Sequence, residues 1–250
     1  MTWLDETMVG FDTETTGVST AKDRIVTAAI ITRRAGEEPS TRTWLVDPGI
    51  EIPAAATRVH GITTEQARAE GMDPKVALDQ IAEALAAPLS SGTPVVGFNA
   101  QYDLSILEAE LARYGLPSLE SRLERGIRPI IDPLVIDRFL DRYRKGGRKL
   151  IDMCRIYAVP VVADDLHAAD ADVLATLDLL PAMAQMHPSL GTVELDDLHD
   201  QQIEAHRLWA TRFAAFLKSK GETDDLPSPL WPVSLPEPQE EPEPASDMLF

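Results

Sequence analysis

The amino-acid sequence predicts an α/β domain built on a mixed five-stranded sheet flanked by helices. Five short segments have the composition of strands, and the later ones alternate with helical segments. The strand-like segments are residues 8–12 (MVGFD), 24–34 (RIVTAAIITRR), 41–48 (TRTWLVDP), 93–99 (TPVVGFN) and 127–134 (IRPIIDPL). In such domains the functional site lies at the carboxyl ends of the strands.

The helical segments show apolar residues at a spacing of three and four. Residues 73–89 begin with Asp73 as a helix cap before Pro74, and residues 102–115 form an amphipathic helix that ends at Gly115. Further helices are predicted at 134–143, 148–157 and 169–186. Residues 1–187 therefore form the main domain.

The remaining residues are predicted to form a linker (188–197), an amphipathic helix (198–221) and a tail (222–250). The helix carries a stripe at helical spacing, made of Ile203, His206, Trp209, Phe213 and Phe216. We expect the stripe to dock on the main domain, and binding of a partner or a second copy is the alternative. The tail is rich in Pro and Glu and is expected to be disordered.

Charge and composition exclude several classes of protein. The formal net charge is -18, so a protein that coats duplex DNA through many Lys and Arg contacts is excluded. The chain has one cysteine, Cys154, which excludes an internal disulfide framework and a Cys-rich zinc site. The N-terminus lacks the apolar core of a signal peptide, and no apolar run approaches the ~18 residues of a membrane span. We expect a cytoplasmic protein without a membrane partner.

Two carboxylates lie at the end of the first strand-like segment and just after it. Asp12 and Glu14 are two residues apart, so on a strand both side chains point to one face. At a separation of roughly 4 Å and an effective dielectric of about 20, two such charges repel by about 4 kcal/mol. A bound cation would remove this repulsion, whereas a solvated turn would avoid it.

Two later clusters add chemically capable residues. Asp103 lies near the start of a helix, about one turn beyond Asn99 at a strand end, and His167 and Asp172 flank the start of another helix. Alone, each cluster is also compatible with helix capping or surface polarity. Together with Asp12 and Glu14 they supply four carboxylates, which select Mg²⁺ or Mn²⁺, and one imidazole that can accept a proton near pH 7. Two divalent ions ~4 Å apart can hold the attacking and leaving oxygens of a phosphodiester.

The ordered set of motifs resembles the DnaQ-like 3′→5′ exonucleases of the DEDDh type, which have the ribonuclease-H-like fold. The family motif Asp-x-Glu-Thr-Thr-Gly is present at 12–17, Asn-Ala-x-aromatic-Asp at 99–103, and His-x4-Asp at 167–172. Phe98 stands where the family often has His. The segment VHGIT at 59–63, which contains His60, resembles a family segment beside the active site. The resemblance extends over residues 5–187.

The resemblance implies a role for each motif residue. Asp12 would bridge two Mg²⁺ or Mn²⁺ ions, Glu14 and Asp172 would hold the ion that activates water, and Asp103 would help to hold the second ion. His167 would be the general base. Thr15 and Thr16, with His60 and Asn99 nearby, would contact the terminal nucleotide. The implied reaction is hydrolysis from the 3′ end of single-stranded DNA or RNA, with release of nucleoside 5′-monophosphates, as in the proofreading subunit of a bacterial replicative polymerase.

Two further segments suggest interactions. Residues 138–149 form a basic stretch in an acidic chain, and Arg144, Lys145 and Arg148 are candidates for a phosphate track, although a solvated helix end has the same composition. The chain ends in DMLF, which resembles the end of peptides that bind the bacterial sliding clamp, without their leading Gln. The tail is thus a candidate docking segment for a clamp or polymerase.

Three alternatives remain open from the sequence. An RNA-trimming exonuclease of the same family would share every motif. A haloacid-dehalogenase-like phosphatase would explain FDTETT only in part, because Glu14 replaces its second Asp, and it leaves His167 unexplained. A replisome-binding module without catalysis would retain the fold but show no dependence on divalent metal.

Overall fold

The computed structural model describes residues 2–161, 169–224 and 226–235. The strands are β1 (Met8–Thr15), β2 (Ile25–Arg33), β3 (Ser40–Leu45), β4 (Val95–Val96) and β5 (Ile130–Ile131). The helices are α1 (Ala54–His60), α2 (Thr64–Glu70), α3 (Pro74–Ser90), α4 (Ala100–Arg113), α5 (Pro133–Leu140), α6 (Leu150–Ile156), α7 (Ala169–Met186) and α8 (Leu195–Ser219). Across these described ranges, no helix combines the length and the hydropathy that a membrane crossing requires.

The strands form one mixed sheet in the order β3-β2-β1-β4-β5, which confirms the predicted architecture. The pairs β1–β2 and β2–β3 are antiparallel, whereas β1–β4 and β4–β5 are parallel. The carboxyl ends of β1, β4 and β5 therefore lie at one edge of the sheet. The helices α4 and α5 begin at this edge, directly after β4 and β5.

Each face of the sheet carries its own hydrophobic core because successive residues of β1 alternate between the faces. Val9 and Phe11 pack in the core formed with α3 and α4. Met8 packs in the core formed with α6 and α7. Gly10 lies on the α7 side, where a Cβ would overlap Val173, so the absence of a side chain lets α7 approach β1 closely.

Several predicted elements differ in length from the observed ones. The strands β4 and β5 each have only two residues, because the chain turns into a helix as soon as it has passed the buried sheet edge. The helix predicted at 134–143 ends at Leu140. The helices α1 and α2 have no counterpart among the predicted elements. Both are seven residues long, and their limits depend on local features, a left-handed Gly61 after α1 and a Thr63 cap before α2.

The C-terminal helix α8 docks on the domain with only part of its predicted stripe. It starts at Leu195, inside the predicted linker, and buries His206 against the domain. Farther along, Phe213 is 40% exposed and Phe216 is 53% exposed. The expected docking therefore applies to the first half of the stripe, and the second half faces solvent.

Residues 226–235 correct the expectation that the whole segment 222–250 lacks structure. Trp231 is buried in the core that contains α3 and α4, and its ring packs against His199 of α8. The Ser234 amide donates a hydrogen bond to Ser105 Oγ at 2.8 Å. The Pro-rich composition suggested disorder, but a single large aromatic side chain provides enough apolar surface to hold this segment. The DMLF residues lie outside the described part of the chain.

Candidate metal centre and active site

Three carboxylates meet where β1 ends and α7 begins. Asp12 and Glu14 extend from one face of β1, as the two-residue spacing predicted, and Asp172 lies in the first turn of α7. One oxygen from each of the three lies within 4.8 Å of the others. The close approach of α7 to Gly10 brings Asp172 within reach of the strand. The pairing of β1 with β2 also shifts register between Glu14 and Thr15, which is typical of a strand that re-aims side chains at a site.

The electrostatics of this cluster favour a bound cation. Burial raises the pKa of Asp12 well above its ordinary value, and the neighbouring charges of Asp103, Glu14 and Asp172 raise it further. Burial, followed by the charges of Asp172 and Asp103, raises the pKa of Glu14 to about 7. The site therefore resists full ionisation unless positive charge enters it. Hard carboxylate oxygens in this arrangement fit Mg²⁺ or Mn²⁺.

Asp103 borders the cluster from the other face of β1. Its Oδ1 accepts hydrogen bonds from the Thr13 amide at 3.0 Å and from the Thr13 hydroxyl at 2.6 Å. Burial raises the pKa of Asp103 to about 7, although both bonds from Thr13 oppose this rise. Thr13 points toward α4, whereas Asp12 and Glu14 point toward α7. Asp103, which is bonded to Thr13, therefore lies outside the group formed by Asp12, Glu14 and Asp172. Its charge still acts on Asp12 and Glu14.

Asn99 and the buried Asp132 shape the sheet edge beside Asp103. Asn99 adopts a left-handed conformation with a φ of 63°, and its amide donates to Asp132 Oδ1 at 3.1 Å. The amides of Ala100 and Leu134 donate to the same carboxylate at 3.0 and 2.9 Å. Asp132 thus joins the starts of α4 and α5. Asp132 is absent from the predicted site residues, although an Asp before Pro133 is a typical helix cap.

The two threonines of the first motif are already engaged within the protein. The Thr16 hydroxyl donates to Asp23 at 2.9 Å, and the Thr16 amide donates to the Arg24 carbonyl at 2.9 Å. The Thr15 hydroxyl donates to the Gly17 carbonyl at 2.7 Å and lies 2.8 Å from the Tyr102 hydroxyl. Thr16 therefore stabilises the turn between β1 and β2, and Thr15 links that turn to α4.

His60 lies beside Glu14 at a cavity of about 240 Å³ between the sheet and α1. Its Nδ1 accepts a hydrogen bond from the Ile62 amide at 3.1 Å, which places the proton of the neutral ring on Nε2. This Nε2 is buried and makes no hydrogen bond to any residue that the structure describes. Burial also lowers the pKa of His60, which favours the neutral ring. An interaction of the ring with the Thr15 backbone opposes this shift of the pKa. The ring thus presents an N–H donor beside the Thr15 backbone and Glu14.

The basic stretch is partly neutralised by Asp137, whose side chain is fully buried in α5. Arg144 and Arg148 each donate to Asp137 Oδ2 at 2.7 Å, and the Tyr157 hydroxyl donates to Oδ1 at 2.9 Å. These bonds hold the loop after α5 in place. Both guanidinium groups therefore have a structural role in addition to any contact with phosphates. Lys145, between them in sequence, is exposed.

His167 lies outside the described residues, so the site is described without the expected general base. The structure brings together Asp12, Glu14 and Asp172, places Asp103 across the strand, and sets His60 and Asn99 at the rim. This arrangement can hold divalent cations and presents a donor beside them.

The comparison with protein families agrees with this geometry. Residues 9–180 match the RNase T exonuclease family, a match that extends from β1 into α7 and includes every carboxylate described above. The chain belongs to this exonuclease family. Membership confirms the resemblance seen in the motifs and the predicted class of enzyme, a 3′→5′ exonuclease-type hydrolase.

The chain is also similar to one part of much larger bacterial polymerases. It is 27% identical over 194 residues to the PolC-type DNA polymerase III of Lacticaseibacillus paracasei, covering 77% of this chain and 12% of that protein. The PolC-type DNA polymerase III of Listeria innocua is 30% identical over 194 residues, again covering 77% of this chain and 12% of the polymerase. The match is therefore confined to a small fraction of these relatives.

Solved structures of exonuclease I share the fold. E. coli exonuclease I in complex with a dT13 oligonucleotide has a TM-score of 0.61 and 19% identity, covering 74% of this chain and 42% of that one. The zinc-bound form of the E. coli exonuclease I–ssDNA complex has a TM-score of 0.63 and 19% identity, covering 81% and 43%. At this identity the likeness supports the fold.

Proposed function

We propose that this chain removes nucleotides from the 3′ end of single-stranded nucleic acid, with DNA favoured, and releases nucleoside 5′-monophosphates. The observation that carries the proposal is the group formed by Asp12, Glu14 and Asp172, whose oxygens lie within 4.8 Å of one another inside the exonuclease-family region. An RNA-trimming activity is the alternative, and it would use the same residues.

Two divalent ions, Mg²⁺ or Mn²⁺, are the proposed cofactors. Asp12, Glu14 and Asp172 would hold them, with Asp103 contributing from the far side of β1. When bound, such ions lower the pKa of water and stabilise charge on phosphoryl oxygens. The raised pKa values of Asp12 and Glu14 support this assignment, because an added positive charge would restore both carboxylates to their ionised forms.

His167 is the proposed general base. A neutral imidazole near pH 7 can accept the proton of the attacking water. Support for this role is the five-residue spacing to Asp172, the spacing of the family motif. Because Asp172 sits at the metal group, a residue shortly before it in the chain can reach the same edge of the sheet.

His60 is proposed to position the terminal nucleotide. Its buried Nε2–H makes no hydrogen bond of ordinary geometry to a described residue, although the Thr15 backbone acts on the ring, and His60 lines a cavity together with Glu14. A substrate oxygen or base edge would supply the missing acceptor. We also retain Thr15 and Asn99 as proposed contacts at this rim. Thr16, Arg144 and Arg148 then act mainly by holding the loops around it.

The names of the similar proteins support DNA as substrate. Exonuclease I structures include complexes with dT13 and dA16 oligonucleotides, and the similar polymerases are DNA polymerases. One structural neighbour is a complex of exonuclease I with the SSB C-terminus. We propose a polymerase or sliding clamp as a partner of the DMLF tail, and a cytoplasmic location for this protein. Deleting residues 246–250 should abolish capture of a clamp if this is correct.

A time course with 5′-labelled single-stranded DNA and RNA of matched sequence tests the proposed reaction. We expect a ladder that shortens from the 3′ end with Mg²⁺ or Mn²⁺, stops with EDTA, and disappears in Asp12→Asn and His167→Ala. Glu38→Gln, an exposed change in the loop between β2 and β3, is the matched control. Shortening that persists in Asp12→Asn, or that starts from the 5′ end, would refute the proposal.

A further inference from the structure

An aromatic and arginine-rich groove lies outside the exonuclease-family region. It has a volume of about 510 Å³ and runs between α5, the loop after it and the second half of α8. The helix α8 begins at Leu195, whereas the family match ends at residue 180. The groove therefore combines a family element, α5, with a helix that the family region does not include.

The aromatic side of the groove is a stacked ladder on α8. Trp209 and Phe213 have ring centroids 5.5 Å apart at an interplanar angle of 24°, and Phe213 and Phe216 have centroids 6.3 Å apart at 13°. Phe213 and Phe216 are 40% and 53% exposed. Three nearly parallel rings at helical spacing, two of them open to solvent, form a platform of the kind on which bases stack.

The opposite side of the groove is cationic. Arg138, Arg142 and Arg148 line it from α5 and the loop after it, and Arg212 adds a fourth guanidinium from α8. No acidic side chain lines the groove among the residues that the structure describes. The Arg138 guanidinium lies 3.7 Å from the centroid of the Trp209 ring, a close cation–π contact. Asp137 pairs with Arg148, so the local excess of positive charge comes from Arg138, Arg142 and Arg212, none of which forms a salt bridge with a residue that the structure describes. This excess is marked in a chain with 41 acidic and 23 basic residues.

The position of the groove connects it to the proposed active site. The helix α5 starts at the buried Asp132, which holds the amides at the start of α4, the helix that carries Asp103. Arg138 lies six residues further along α5, a rise of roughly 9 Å. The groove therefore starts within a few nucleotide lengths of the carboxylates.

We propose that this groove binds the single strand upstream of the 3′ end, with bases stacked on Phe213 and Phe216 and phosphates beside the arginines. The charge favours a polyanion over a neutral or basic protein segment, and the exposed rings favour unpaired bases over duplex. The inference rests on the proposed function, because a strand held there is useful only if its end reaches the carboxylates.

The test measures binding of 5′-fluorescein oligo(dT) by anisotropy in EDTA, so that no metal-dependent hydrolysis occurs. We expect Phe213→Ala/Phe216→Ala to weaken binding of a ~16-nucleotide strand by about tenfold or more, and a ~4-nucleotide strand much less. Arg212→Gln should reduce the slope of log affinity against log salt by about 0.7. Met186→Ala and Arg34→Gln, exposed changes at the opposite end of α7 and after β2, are the matched controls.

Equal affinity of parent and the double variant for the longer strand would overturn the inference. The inference would also be overturned if the parent were a dimer that dissociates in the double variant. It would likewise be overturned if the double variant lost a protein partner but still bound the strand. Hydrolysis of thymidine 5′-monophosphate p-nitrophenyl ester by the parent tests the proposed function separately, since this small substrate does not extend into the groove. An inactive parent that still binds the long strand through Phe213 and Phe216 would refute only the proposed function.

Discussion

Replacing Glu14 with Gln should stabilise the metal-free protein at alkaline pH. Burial and the charges of Asp172 and Asp103 raise the pKa of Glu14 from 4.5 to about 7. The folded state therefore holds the proton more tightly than the unfolded state. Below about pH 4.5 Glu14 is protonated in both states and does not lower the free energy of unfolding. As the pH rises from about 4.5 through 7, ionisation destabilises the folded state, and above 7 the whole penalty is present.

The size of the penalty follows from the pKa values. A rise from 4.5 to about 7 corresponds to about 3 kcal/mol at 1.36 kcal/mol per pKa unit. Glu14→Gln removes this penalty while keeping the shape of the side chain. At about pH 8 in EDTA, the variant should exceed the parent in free energy of unfolding by about 3 kcal/mol, which is about 6–12 °C in Tm for a chain of this size. At about pH 5 the difference should fall below about 1 kcal/mol.

Urea unfolding of parent, Glu14→Gln and the exposed control Glu38→Gln at both pH values measures these differences. Adding Mn²⁺ at pH 8 should reverse the order once the ion is at about a thousand times the Kd of the parent, because the parent then gains about 4.1 kcal/mol. A variant that is less stable than the parent in EDTA at pH 8, or a gain shared by Glu38→Gln, would refute the assignment of charge repulsion to this site.

Three further predictions concern residues that support the site. Gly10→Ala should cost about 1–3 kcal/mol and reduce the Mn²⁺-induced rise in Tm, because the added Cβ overlaps Val173 and displaces α7; an unchanged metal response would contradict this. Asp132→Ala should cost about 3–5 kcal/mol in urea unfolding, since three amides, two of them buried, lose their acceptor. A loss below about 1 kcal/mol would contradict this. Asp137→Ala should also cost about 3–5 kcal/mol, because it leaves two arginines without their buried partner, whereas Asp79→Ala, which removes an exposed pair, should cost less than about 1 kcal/mol.

The parts of the site that the sequence predicted depend on local spacing. Asp12 and Glu14 share a face because a strand alternates with a period of two, and Asp172 reaches them because it lies in the first turn of α7. Spacing alone therefore places Asp12 and Glu14 together, whereas Asp172 and Asp103 were expected beside them because of the resemblance to the exonuclease motifs. The position of Asp103 across β1 depends on which face of the sheet α4 covers, and local spacing does not determine that.

The features that sequence reasoning missed depend on contacts between distant segments. The basic composition of residues 138–149 predicts exposed cations, but tertiary packing places Arg144 and Arg148 on Asp137. Trp231 was assigned to a disordered tail, but it fills a site in the core beside His199. In each case the composition of the segment indicates exposure to solvent. A single partner that is distant in sequence nevertheless holds the side chains against the domain.

Titration of the metal-free protein with Mn²⁺ by isothermal calorimetry near pH 7.5 tests most directly whether the carboxylate group is a cation site. The parent should bind Mn²⁺, and a repeat at about pH 6 should add a release of protons, because Glu14, whose pKa is raised to about 7, is then largely protonated and the ion displaces that proton. Asp12→Asn should lose most of this binding, while Glu38→Gln should bind as the parent does. Equal Mn²⁺ binding by Asp12→Asn and the parent, or no binding by the parent, would contradict the assignment of a metal centre to Asp12, Glu14 and Asp172.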